Sequence, residues 1–121
     1  MMVSKHQVKV GRAYDESARG DGQRVLVDRI WPRGLSKGEA DFDEWCKQVA
    51  PSTELRKWYN HDPERYAEFG VRYRVELEEP ERAEAVEHLR ALARHGNLTL
   101  ITATKQAEIS EAAVLVELLK G

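Results

Sequence analysis

Cysteine is almost absent from this sequence. The single one, Cys46, excludes an internal disulfide and any metal site built from cysteine alone. A reducing, cytoplasmic setting is expected. Long apolar runs are missing as well. The longest is Ala112-Ala113-Val114-Leu115-Val116, far short of the roughly 20 residues that span a bilayer. Residues 1–6 contain no apolar h-region, which predicts no secretory leader. No excess of basic charge exists: 19 Lys and Arg against 21 Asp and Glu leave a net charge of −2. Nucleic-acid binding by overall charge is therefore not expected. The patterns G-x-x-x-x-G-K-[ST], G-x-G-x-x-G, G-x-S-x-G and H-E-x-x-H do not occur. Common NTPase, dinucleotide, hydrolase and zincin chemistries fall away with them. His6, His88 and His95 lack ligand spacing with any acid or with Cys46, so no metal and no cofactor are expected.

What remains is a chain of 121 residues, 41% apolar and 33% charged, suited to one modest core and one domain over residues 1–121. Charge is uneven. Residues 1–61 carry 11 basic and 9 acidic side chains, and residues 62–121 carry 8 and 12. Gln7-Val8-Lys9-Val10 alternates as a strand does, and residues 15–22 read as a loop with two glycines. Arg24-Val25-Leu26-Val27-Asp28 and Leu98–Ala103 read as buried strands. Between them the pattern is helical. Asp41 is placed to cap a short helix carrying Phe42, Trp45 and Val49, and Pro51-Ser52 opens another with Leu55, Trp58 and Tyr59. Asp62-Pro63-Glu64 starts a helix whose stripe is Tyr66, Phe69, Tyr73 and Leu77. Pro80 ends it, and the next helix runs to Gly96. Ala112, Leu115, Val116 and Leu119 mark the last. The predicted fold is a small single-domain α/β structure, Rossmann-like in two or three layers, with a partly parallel sheet and a helical middle segment. Three strands make a small sheet, so a further short or edge strand is expected.

The unusual segment is Asp28-Arg29-Ile30-Trp31-Pro32-Arg33-Gly34-Leu35, directly after a buried strand. In open α/β sheets, ligands bind at the carboxyl ends of strands. Arg29 and Arg33 present planar donor forks that match phosphate or carboxylate, and Trp31 lies between them. Past the other strand, Lys105 adds positive charge and Ser110 stands before the last helix. Asp28, His61 and Glu111 are the candidate acid or base groups. Plainer roles compete at every position. Asp28 pairs with an arginine to staple the loop, Trp31 joins the core, Ser110 only caps, Glu111 only complements the helix dipole, and His61 sits in a turn. Trp58 and Tyr59 are adjacent and cannot face the same way, so one of them lines a cleft.

The run Arg24–Lys37 is similar to the signature of the DUF488 family in its short, YeaO-like form. Trp45, Ala50-Pro51-Ser52, Leu55-Arg56, Trp58-Tyr59, His61-Asp62-Pro63, Arg65, Phe69, Tyr73 and Glu76-Leu77 also fit it. The resemblance runs from about residue 6 to the C-terminus. It implies a single small α/β domain of unknown function. Some relatives carry a MarR-type regulator label, but no helix-turn-helix with a basic recognition helix is legible here. The last strand departs from the pattern. Relatives read Tyr-Ala-Ala-(Lys/Arg)-Asp and then Asn-His-Ala. This chain has Thr102-Ala103-Thr104-Lys105-Gln106 and Ser110-Glu111-Ala112. Any chemistry carried by that Asp and His in relatives is missing here, while Arg29 and Arg33 remain.

The expected function is a pocket at the strand ends binding a small anionic, phosphate- or nucleotide-like ligand, with hydrolysis or transfer as the reaction if there is one. The alternative is a non-catalytic binding or regulatory protein acting through a protein partner. Nucleic-acid binding through Arg24, Arg29, Arg33 and Lys37 ranks third. Sequence leaves the oligomeric state open.

Overall fold

The computed structural model describes residues 6–120. Four parallel strands form one sheet in the order β1-β4-β2-β3: β1 is Val8–Arg12, β2 Gln23–Leu26, β3 Glu44–Trp45 and β4 Leu98–Thr102. β4 lies between β1 and β2, and all five of its residues are buried. That is why its sequence is a nearly unbroken apolar run.

The pleat divides the apolar residues between two faces. Val25, Val27, Leu98 and Leu100 face a core built with α1 (Thr53–Tyr59), α2 (Tyr66–Glu76), α3 (Pro80–His95) and α4 (Glu111–Lys120). Leu55, Phe69, Tyr73, Leu89 and Leu115 are the helices' main contributions. Leu26 and Ile101 point to the opposite face, where Trp31, Phe42 and Trp45 cover them without a helix. The Trp31 ring stands edge-on to Phe42 at 5.6 Å and to Trp45 at 5.4 Å. The fold is therefore two layers, helices on sheet, with irregular chain over the second face.

The helix expected after Asp41 is not there. Residues 44–45 form β3, paired with β2 through Val25↔Glu44 and Leu26↔Trp45, and Lys47–Val49 is one 3-10 turn. Phe42, Trp45 and Val49 have helical spacing, but they serve different faces. Phe42 and Trp45 cover the loop side, whereas Val49 enters the helical core. A helix would have put all three on one side. This short edge strand is the fourth strand that the sequence left unplaced. Its neighbour Cys46 donates its backbone N–H to Leu26 O at 2.8 Å and buries its thiol, which burial pushes up to about 11.

Caps fall where the residue types allow. The Ser52 hydroxyl accepts from Leu55 N, and Asp62 accepts from Glu64 N ahead of Pro63. Arg24 leaves the proposed basic patch altogether. It is buried, 2.6 Å from Asp21, with its Nε on Asp41 O at 2.7 Å. Lys9 reaches the same Asp21 at 2.7 Å. Among the described residues no helix is long and apolar enough to cross a membrane.

Candidate functional site at the carboxyl edge of the sheet

Parallel pairing brings the loops after β2 and β4 to one edge. Val27 N bonds to Ile101 O at 3.0 Å, so Asp28 emerges beside Thr102. Asp28 accepts twice there, from the Thr102 hydroxyl and from Ala103 N, both at 2.8 Å. Glu111, first residue of α4, brings Oε2 within 3.5 Å of the same hydroxyl. Thr102 has one hydroxyl proton, and the shorter contact assigns it to Asp28. Burial, and next the Asp28 carboxylate, raise Glu111 well above the usual glutamate range. Asp28 and Glu111 thus converge on one hydroxyl, that of Thr102.

Around this pair lie phenols. Tyr59 donates to Ile109 O at 2.6 Å, and burial pushes it up to about 12, with Tyr66, Asp62 and Glu111 adding to the rise. Tyr59 is buried, while Trp58 is half-buried, with the guanidiniums of Arg65 and Arg72 5.2 and 4.3 Å from its ring.

A second cluster lies on α1. Arg29 Nη1 donates to Thr53 Oγ1 at 3.0 Å, and Arg56 Nη2 approaches the same oxygen at 3.4 Å. Neither arginine is in an ion pair among the described residues. Arg56 Nε is enclosed and has no hydrogen-bond partner among the described residues. Two guanidiniums thus converge on one threonine, with the Glu76 carboxylate one residue away, accepting from Ser52 N at 2.8 Å.

The remaining candidate residues are spread out. Arg33 is exposed, and only its backbone oxygen is used, by the Tyr14 hydroxyl at 2.9 Å. Trp31 sends its ring nitrogen to Leu35 O at 2.5 Å and packs against the second face. Lys105 and Gln106 are exposed. Ser110 is buried, with its hydroxyl on Ala107 O at 2.6 Å and receiving Ala113 N at 3.3 Å, a capping arrangement. His61 is exposed at the rim, its ring 6.0 Å from Tyr59. Asn60 and His61 both have positive φ, 47° and 53°, an uncommon pair of left-handed residues without glycine. Sequence reasoning missed Arg56 and Thr53 as site residues. Their only signal was the spacing 53, 56, 59 on one helix face. Two open grooves of about 500 and 830 Å³ exist elsewhere, and Asp28, Arg29, Arg56 and Glu111 line neither. Among the described residues, no group of three or more His, Cys, Asp or Glu side chains is arranged to hold a metal ion.

The DUF488-N3i family model, described as the inactive DUF488-N3 subclade, matches residues 7–121. The chain belongs to this family. It is 48% identical over 120 residues to Rv3073c of Mycobacterium tuberculosis, covering 99% of both chains. It is equally similar to Mb3100c of Mycobacterium bovis, and 38% identical over 114 residues to YeaO of Escherichia coli, covering 94% of this chain and 97% of that one. All three carry the name uncharacterized protein. No solved structure matches. Gln106, Ser110 and Glu111 are the residues that depart from the pattern the sequence resemblance implies. They are respectively exposed, capping and locked to the Thr102 cluster.

Proposed function

We propose that this DUF488-N3i domain is a non-catalytic binding domain that takes a small phosphate-like anion between Arg29 and Arg56. The observation carrying the reading is the enclosed Arg56 Nε, which donates to nothing while a second guanidinium stands on the same threonine. A buried donor without a partner costs about 1–3 kcal/mol, no acid in the described fold claims this guanidinium, and an oxyanion docking on the Nη atoms of Arg56 and Arg29 neutralises both charges. Absence of turnover is supported by the acids. Asp28 and Glu111 are committed to each other, Thr102 and Ala103, and His61 lies apart at the rim. The family's description as inactive agrees with it.

The test is thermal shift and calorimetry with inorganic phosphate. At about 100 times its dissociation constant the ligand stabilises the fold by about 2.7 kcal/mol, a rise of several degrees. Arg29→Ala and Arg56→Ala are each expected to abolish the rise. No rise in the wild type, or a rise kept by Arg56→Ala, overturns the binding. Phosphate released from a simple phosphomonoester, and lost on Asp28→Asn, overturns the non-catalytic part.

A further inference from the structure

The sheet has one long open edge. Among the described residues β1 pairs with β4 alone, from Val8↔Leu98 to Arg12↔Thr102. Two bonds fix its phase: Leu98 N on Gln7 O at 2.8 Å, and Ala13 N on Thr102 O at 2.9 Å. A parallel ladder uses every second residue of a strand. Gln7, Lys9, Gly11 and Ala13 therefore face β4, and Val8, Val10 and Arg12 turn their backbone groups outward. Arg12 O is taken by Asp15 N at 3.2 Å. The outward N–H and C=O of Val8 and Val10 have no partner among the described residues.

Beside this edge runs an open groove of about 830 Å³. Val8 and Leu119 give it apolar surface, Arg90, Arg94 and Lys120 give it charge, Lys9 turns to the other face of the sheet toward Asp21, and no acidic residue among the described ones lines it. Glu87 lies 3.3 Å from Arg90 and 4.0 Å from Arg94, so one acid only partly offsets three cations. The groove is positive on a chain whose net charge is −2.

We infer that the β1 edge is a strand-addition site for an extended acidic segment of a partner protein. Its backbone pairs with Val8 and Val10. Alternate side chains fall on the helix side, where carboxylates meet Arg90, Arg94 and Lys120. A second copy of this chain does not fit. An antiparallel β1–β1 pair centred between Val8 and Val10 sets Lys9 against Lys9 and one basic groove against the other.

The probe is a fluorescent Glu-Val-Glu-Val-Glu-Val peptide, compared by anisotropy with a peptide carrying proline in place of each valine. The first is expected to bind, and to weaken about tenfold when Arg94→Glu and Lys120→Glu are combined. The proline peptide is expected not to bind. Amide exchange gives a readout that needs no folding-sensitive variant: Val8 and Val10 gain protection on peptide addition. Val10→Pro removes an outward N–H without touching the β4 ladder, and is expected to fold and lose at least about fivefold in affinity. Equal binding of the proline peptide, or of a single-stranded oligonucleotide, identifies a general polyanion surface and overturns strand addition. Unchanged Val8 and Val10 exchange in saturating peptide overturns it as well.

Discussion

Asp28 and Glu111 meet across a single hydroxyl, Thr102 Oγ1, which lies 2.8 Å from the first carboxyl and 3.5 Å from the second. Burial and the neighbouring Asp28 raise Glu111 well above the usual glutamate range, so the junction between β2, β4 and α4 carries a pH dependence.

The folded state raises Glu111 above its unfolded value of 4.5. Its contribution to stability is thus fully present below that value, and is lost as pH rises through the raised folded value. Glu111→Gln keeps a donor at the position and has no proton to lose. The variant is expected to match the wild type near pH 4 and to exceed it at pH 8 by roughly a few degrees in Tm. Calorimetric scans across that range check this, and a wild type that gains on Gln at high pH contradicts it.

Asp21 acts in the opposite direction. The backbone N–H of Ala18, then Lys9 and Arg24, hold it down to about 2 from 3.8. Its contribution is present above the unfolded value and is lost as pH falls through about 2. After allowing for solvent screening, about 1–2 kcal/mol is at stake. Urea midpoints measured from pH 5 to 2 are expected to fall more steeply for the wild type than for Asp21→Asn.

Arg56→Met keeps the aliphatic stem and removes the enclosed unpaired donor. Without phosphate its stability is expected to stay within about 1 kcal/mol of the wild type, or to rise. In saturating phosphate the wild type is expected to gain and the variant not to. Paired denaturation curves with and without phosphate decide it.

Trp31→Ala separates packing from ligand contact. Removing an indole that packs on Phe42 and Trp45 is expected to cost about 3 kcal/mol. Phosphate affinity, measured where the variant is still folded, is expected to be unchanged. A loss of affinity in the folded variant would return Trp31 to the site.

Gly22→Ala tests the turn before β2. Gly22 has φ +64°, and an added Cβ would stand 2.0 Å from Asn97 O. Gly20, at φ +92°, has open space around it. Urea denaturation is expected to show a loss of roughly 3 kcal/mol or more at Gly22, and only about 1 kcal/mol for Gly20→Ala.

Residue patterns revealed the framework wherever local chemistry and burial agree. Leu98–Thr102 is apolar because it lies between two strands, and Ser52, Asp62 and Pro63 sit where helix starts need them. Residues 41–45 were misread because their spacing serves two faces, which only the pairing of Glu44 with Val25 reveals. Asp28 and Glu111 were both legible as acids near strand ends. Their contact was not, because it depends on β2 and β4 being neighbours and on where α4 begins. Arg56 carried no local mark beyond its helical spacing from Thr53. Its role arises from Arg29, 27 positions away in the chain, ending on the same threonine.

Cys46 makes this domain its own conformational clock. The lone thiol is buried beside the short β3 strand and kept protonated up to about 11. A thiol reagent at neutral pH can reach it only when that edge opens. The rate of modification therefore counts openings of the β2–β3 margin, in native solution and without an introduced label.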